Sequence, residues 1–187
     1  MPKLVIFDLD ETLLFIPVDW EKAKAEILEL AKKRGIPADS SLGIAELSNS
    51  ISSNSKIKSE IDAIWSRREL ETLDKKGIIA YPKATAFLAS LKKRGMRIAV
   101  CSNNCHSSIE RALLLAGLPG FVDFIVGRDD VERPKPDPQM LLVAIQRAGV
   151  SKEDSVFLGD SIRDIEAGRR AGIRAVKIFP EADFPGI

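Results

Sequence analysis

Apolar residues fall along this chain in two rhythms. Five short runs, Leu4–Phe7, Ile98–Cys101, Phe124–Val126, Val156–Leu158 and Ala175–Phe179, are rich in Val, Ile, Leu and Phe and too short for helices. Their apolarity is continuous rather than alternating, which predicts strands buried on both faces, as in a parallel sheet. Longer segments between them repeat at three and four. In Pro82–Arg94 the apolar positions are Ala84, Phe87, Leu88 and Leu91, and Gly95 follows as a stop. Ser107 with Glu110 reads as a capping box opening a helix that runs to Gly117. Asp137 and Pro138 read as N-cap and first-turn proline before Met140–Ala148, which Gly149 ends. Ile162–Ala171 closes in the same way at Gly172. Strands alternating with helices of this length build βαβ units, so the prediction is a doubly wound, Rossmann-like α/β fold on a parallel five-stranded sheet.

One interval breaks the alternation. Between about Phe15 and Ile79 no strand is evident and the patterns are helical. Trp20–Arg34 carries Ala23, Ile27, Leu30 and Ala31 on one stripe and is stopped by Gly35 and Pro37. Further helices are predicted over Leu42–Leu47 and Ile57–Leu73, the latter with Ile57, Ile61, Ile64 and Trp65 inward. The run Ser48–Ser55, almost all Ser and Asn, reads as the loop between them. The division expected is therefore an α/β core over 1–14 and 80–187, with a small all-helical cap at 15–79 inserted after the first strand. Its links, near Phe15–Val18 and Gly77–Tyr81, are the places for hinges.

Composition narrows the class. Of 187 residues, 45% are apolar, and 28 Lys and Arg nearly balance 27 Asp and Glu. A net charge of +1 supplies no general field for a polyanion, so nucleic-acid binding is not expected. No apolar run approaches the ~20 residues of a membrane span. The N-terminus passes from one Lys into a short apolar run and then acid, unlike a signal peptide, which predicts a cytoplasmic protein. Two cysteines four residues apart and a single His leave no disulfide framework and no zinc ligand set. Cys101 reads as a small core residue, and Cys105 and His106 as surface residues near a helix start. Trp20 and Trp65 read as packing within the cap. Arg67, Arg68, Lys56 and Lys58 read as a solvated face.

Candidate chemistry lies just past the strands, where open α/β sheets bind ligands. The first strand is followed by Asp8-Leu-Asp-Glu-Thr12 and the second by Ser102-Asn103-Asn104. The third is followed by the segment Arg128–Lys135, and the fourth by Gly159-Asp-Ser-Ile-Arg-Asp164. Asp8, Asp10, Asp160 and Asp164 would converge there with one cation, Lys135. Carboxylates at that spacing call for a counter-charge, and a hard divalent cation with oxygen ligands, Mg²⁺, suits them. A carboxylate beside a metal, a hydroxyl and a lysine is equipped for phosphoryl transfer.

In this order, D-L-D-E-T, S-N, R-P-K-P-D-P and G-D-S-x-x-D resemble the motifs of the haloacid dehalogenase superfamily, and more narrowly its phosphoglycolate-phosphatase-like branch with a helical cap. The resemblance spans Asp8 to Asp164. It implies Asp8 as nucleophile and Asp10 as general acid and base. It implies Mg²⁺ held by Asp8, the backbone carbonyl of Asp10, and Asp160. Ser102, Asn103 (through its backbone N–H) and Lys135 would bind the phosphate, with Thr12 and Asp164 in support. The implied activity is Mg²⁺-dependent hydrolysis of a small phosphorylated metabolite through an aspartyl phosphate. Two alternatives stand beside it: a phosphomutase, against which Glu11 replaces the Gly of that group, and an inactive phosphate-binding regulator. Dehalogenases lack the second aspartate, so Asp10 argues against carbon–halogen chemistry. Phosphonate hydrolases use a cap lysine, and nothing marks Lys22, Lys24, Lys56 or Lys58 for that role.

Overall fold

The structure, a computed structural model, describes residues 1–179 and 184. In chain order the elements are β1 (Leu4–Phe7), β2 (Leu14–Phe15), α1 (Trp20–Lys33), α2 (Ile44–Ile51), α3 (Ser55–Lys76), β3 (Ile79–Ala80) and α4 (Pro82–Lys93). They continue as β4 (Arg97–Cys101), α5 (His106–Leu115), β5 (Phe124–Val126), α6 (Gln139–Ala148), β6 (Ser155–Gly159), α7 (Ile162–Ala171) and β7 (Arg174–Lys177). A 3₁₀ turn, Arg128–Asp130, precedes α6. The fold is α/β, with five parallel strands in the order β5-β4-β1-β6-β7. The chain moves outward from β1 to β4 and β5, then returns to add β6 and β7 on the other side. The order therefore reverses at β1 and β6, the place where such sheets leave a crevice.

The continuous apolarity of β1 has a direct cause: all four of its side chains are fully buried. Leu4 and Ile6 join Ala99, Cys101 and Phe157 under Met140, Leu141 and Ala144 of α6 and Ala167 of α7. Phe7 packs edge-on against Phe87 of α4, ring centroids 6.1 Å apart. Each such side chain contributes about 1.5–3 kcal/mol by leaving water. Helix ends follow local chemistry. Ser161 caps α7 by accepting from Asp164 N, and Gly172 ends that helix at φ 73°, a left-handed conformation open to glycine at little steric cost. The start of α5 differs from the capping box expected at Ser107. Cys105 stands at the cap without a side-chain bond, and Asp129 Oδ1 accepts from His106 N at 2.7 Å instead. A carboxylate from another element thus satisfies the helix end. Cys105 is also buried, not at the surface, with Sγ 2.9 Å from Ser108 Oγ. At α6, Pro138 takes the cap position and Asp137 Oδ1 accepts from Gln139 N at 3.0 Å.

The backbone divides into two compact units, Met1–Ile16 with Gly77–Ile187, and Pro17–Lys76. Within the first, β2 and β3 form an antiparallel ribbon, Leu14 opposite Ala80 and Phe15 opposite Ile79. The sequence showed no strand there because two residues are too few to carry a period. The second unit is α1, α2 and α3 around Ile27, Ala31, Leu47, Ile51, Ile57 and Ile61. Trp20 and Trp65 pack at 5.2 Å between ring centroids.

The expected loop Ser48–Ser55 is corrected. Helix α2 runs to Ile51, α3 begins at Ser55, and only three residues link them. Ser48 and Ser50 sit in the helix and Ser52 just past its end, their hydroxyls satisfied by the preceding turn rather than by water. Ser48 donates to Ile44 O at 2.7 Å, Ser50 to Leu47 O at 2.8 Å and Ser52 to Ser48 O at 2.6 Å. Ile51, fully buried, anchors the stretch. Arg67 and Arg68, read as a solvated face, form ion pairs with Glu26. No helix among the described residues is long and apolar enough to cross a membrane.

Candidate active site

Asp8 prolongs β1 by one residue, its N–H donating to Leu158 O of β6 at 2.9 Å. The chain then turns sharply, with Leu9 O accepting from the N–H groups of Thr12, Leu13 and Leu14. Glu11 takes φ 58° in this turn, and Tyr81 donates its hydroxyl to Glu11 Oε2 at 3.2 Å. Asp10 Oδ1 accepts from Ile16 N at 2.8 Å, and Thr12 Oγ1 donates to Asp160 Oδ1 at 3.4 Å. Both contacts tie the turn to fixed points of the core.

Lys135 is the centre of charge. Its side chain is only 3% exposed, and Nζ donates to Asp8 Oδ1 at 2.7 Å and to Asp164 Oδ1 at 2.6 Å. The ammonium also sits 5.3 Å from the ring centroid of Phe157. Asp164 reaches it from the first turn of α7, while its Oδ2 accepts from Ser161 N at 3.0 Å and from Ser161 Oγ. Gly159 makes that approach possible: a Cβ there would lie 2.6 Å from Asp164 Cγ. Oxygens of Asp8, Asp160 and Asp164 all lie within 4.8 Å of one another.

Asp8, Asp160 and Asp164, with Asp10 on the same turn as Asp8, thus have one buried lysine among them, and burial acts on each carboxyl differently. Burial pushes Asp8 up to about 6, against the pull of Lys135 and with a further push from Asp164. Burial likewise raises Asp10 to about 7; the Ile16 N–H opposes this, while Asp8, Glu11 and Asp160 add to it. Asp160 is raised by burial and by Asp164. Burial also acts on Asp164, but Lys135 and the Ser161 donors outweigh it and hold its carboxyl below the usual range. The Lys135 ammonium loses by burial and gains more from Asp8 and Asp164, so it stays charged. Asp8 and Asp164 share one cation yet move in opposite directions: burial and the neighbouring Asp164 prevail at Asp8, while Lys135 and the Ser161 donors prevail at Asp164.

The donor set fits a hard divalent cation: clustered carboxylate oxygens, short of positive charge, at the end of a sheet. Of the expected ligands, Asp8 and Asp160 belong to the cluster. The side chain of Asp10 is turned to Ile16 N, and that residue was expected to contribute its backbone carbonyl only. Asp164 joins the cluster, with both its oxygens bonded to Lys135 and Ser161.

Ser102 follows β4 and is buried, its Oγ donating to Asn104 Oδ1 at 3.0 Å. Asn103 does something its sequence position did not suggest. Its side-chain amide clasps the backbone of Lys135 twice, donating to Lys135 O at 2.9 Å and accepting from Lys135 N at 3.0 Å. Arg128, also buried, donates through Nη1 to Asn103 O at 2.8 Å and through its backbone N–H to Asn104 O at 3.0 Å. Asn104, Arg128 and Tyr81 were not foreseen as parts of the site. The Asn103-Asn104 doublet after a strand was the one visible signal.

Comparison with known proteins agrees with this geometry. The pattern describing haloacid dehalogenase-like hydrolases matches residues 5–178. A phosphoglycolate phosphatase of Aquifex aeolicus is 29% identical over 180 residues, covering 92% of this chain and 82% of that one. Pyrophosphatase PpaX of Bacillus velezensis is 30% identical over 101 residues, 54% of this chain and about half (47%) of its own length. The crystal structure of a hydrolase from Pseudomonas syringae superposes with a TM-score of 0.70 at 25% identity, covering 94% of this chain and 84% of that one. The chain therefore belongs to the haloacid dehalogenase-like hydrolases.

Proposed function

We propose that the protein is a Mg²⁺-dependent phosphatase that hydrolyses a small phosphorylated metabolite through an aspartyl phosphate on Asp8. The observation that carries this reading is the buried Lys135 ammonium bridging Asp8 and Asp164 within the carboxylate cluster at the end of β1. Asp8 would attack phosphorus in line, forming a carboxyl–phosphate bond as the ester P–O bond breaks. Asp10, raised to about 7, is suited to hold a proton near neutral pH and pass it to the leaving oxygen. It would then take a proton from the water that hydrolyses the acyl phosphate, restoring both aspartates.

Ser102, Lys135 and the Asn103 backbone N–H would hold the phosphoryl oxygens. Asp8, Asp160 and the Asp10 carbonyl would hold Mg²⁺, supported by Thr12 and Asp164. The cation supplies the positive charge that this site lacks. We assign choice among substrates to the helical unit Pro17–Lys76, acting as the cap, since both ends of that insertion leave the core beside the β2–β3 ribbon. A cytoplasmic setting belongs to the same proposal and is supported by the free thiols Cys101 and Cys105.

The test is a panel of phosphate esters assayed with Mg²⁺ and with EDTA, ranked by kcat/KM. Turnover with Mg²⁺, its loss in EDTA, and a labile 80 Da adduct on Asp8 after rapid quench are expected. Absence of turnover on every ester with Mg²⁺ present would overturn the reading.

A further inference from the structure

Asn104 is buried, 7% exposed, and bonded to Ser102 from two directions. Its Oδ1 accepts from the Ser102 hydroxyl at 3.0 Å, and its backbone N–H donates to the same Oγ at 3.3 Å. Its Nδ2 is closed off from solvent and has no hydrogen-bond partner among the described residues. A buried N–H without an acceptor is rarer and costlier than an under-used carbonyl oxygen. The two ends of an amide have nearly the same shape, so a half-turn about χ2 exchanges them in place.

That half-turn changes what Ser102 can do. With Oδ1 toward it, the hydroxyl spends its one hydrogen on Asn104. With Nδ2 toward it, the hydroxyl accepts from both Asn104 N–H groups, which fills its two lone pairs. Its hydrogen is then left to donate elsewhere, and the buried N–H has its acceptor. We propose that Asn104 is a positioning residue that aims the Ser102 hydroxyl, and that a bound phosphoryl group selects the orientation in which Asn104 Nδ2 donates to Ser102 Oγ. The inference rests on the proposed contact between Ser102 and the phosphoryl oxygens. Asn104 acts through Ser102, because its own amide nitrogen is shut away from ligand.

A double-mutant cycle tests it, reading kcat/KM for 4-nitrophenyl phosphate with Mg²⁺ and the inhibition constant of inorganic phosphate. Ser102→Ala is expected to lower kcat/KM by about 10–100-fold, the range for a hydrogen bond to a charged group. Asn104→Ala is expected to lower kcat/KM and weaken phosphate inhibition by roughly fivefold while Ser102 is present. In the Ser102→Ala background the same change is expected to matter less than about twofold, because nothing remains to be aimed. Equal losses in both backgrounds, or no loss with Ser102 present, would overturn the inference. If Ser102→Ala alone changes nothing, the phosphate contact itself fails, and the inference fails with it. Should Asn104→Ala melt below the assay temperature, Asn104→Asp keeps the shape and offers acceptors only. It is expected to lose more than about tenfold with Ser102 present and little in the Ser102→Ala background. A loss that persists there is charge repulsion on phosphate and rejects the role.

Discussion

Two ion pairs, one in each unit of this protein, use charge in opposite ways. At the strand ends of the core, Lys135, Asp8 and Asp164 are buried and joined at 2.6–2.7 Å. In the helical insertion, Arg34 meets Glu60 at 2.6 Å as well, but with their side chains 44% and 27% exposed. Equal distances hide unequal energies. Water screens the second pair and offers each partner an alternative, so it adds little. No such alternative exists for the first, and removing Lys135 strands both carboxylates. The core spends burial on reactivity, while the insertion is held mainly by six buried aliphatic residues. Chemistry should therefore fail sharply on single core changes, and the insertion should absorb them.

The largest effect is expected at Asp8. Asp8→Asn keeps the shape but removes the nucleophile, so kcat is expected to fall by roughly 10⁴-fold or more. The melting temperature should hold, since the amide replaces a carboxyl that burial already disfavours as an anion. A variant with wild-type turnover would break the comparison at its centre. Next comes Asp10→Asn, where general acid help is typically worth ~10²–10⁴. Its loss should be greater for an alkyl than for an aryl phosphate in pre-steady-state phosphorylation, because only the alkoxide needs the proton. Equal losses would leave Asp10 its bond to Ile16 N and no proton role.

Lys135→Met and Arg34→Met sharpen the contrast directly. Urea unfolding in EDTA is expected to show a loss of about 3–5 kcal/mol for the first and under about 1 kcal/mol for the second. Similar losses would mean that burial does not separate the two pairs. The raised carboxyls predict a pH effect of smaller size. Burial pushes Asp8 up to about 6 and Asp10 up to about 7 in the folded chain, against an ordinary 3.8. Between those values the folded state binds more protons than the unfolded one. Metal-free stability is therefore present below the lower value and falls as pH rises toward 7, on the order of a few kcal/mol. Asp164 moves the other way, but its contribution changes only below the ordinary carboxyl range. Mg²⁺ should raise the melting temperature more at pH 7.5 than at pH 5. A metal-free melting temperature that rises across this window would reject the buried-carboxyl account.

The same contrast explains what the sequence disclosed. A parallel strand buried on both faces has to be continuously apolar, and groups meant for a ligand have to follow its carboxyl end. Leu4–Phe7 and Asp8, or Val156–Leu158 and Asp160, are therefore visible as short local strings. The partners of those groups are set by tertiary contact and leave no local trace. The Asn103 clasp on Lys135 spans 32 residues, and the Tyr81 bond to Glu11 spans 70. In the insertion the polar run 48–55 misled, because serine hydroxyls bonded within a helix look in sequence like turn formers. Polarity alone does not say whether a hydroxyl bonds to water or to its own backbone.

The smallest effect expected is in that run. Asn54 caps α3, its Oδ1 accepting from Ile57 N at 3.1 Å, and lies in the three-residue link after α2. Glycine is almost as good a cap, so Asn54→Gly should cost only a few tenths of a kcal/mol in urea unfolding. Ser48→Ala should cost more, about 1 kcal/mol, since the Ser48 hydroxyl joins Ile44 O to Trp65 Nε1. If the link is only a connector, Asn54→Gly will keep the ranking of natural esters by kcat/KM within about twofold of wild type, near the kinetic weight of a few tenths of a kcal/mol. A reordered ranking with unchanged stability would give the link a part in choosing substrates. Specificity would then lie on a polar turn rather than on the helix faces, and the insertion would no longer be the unit that absorbs single changes.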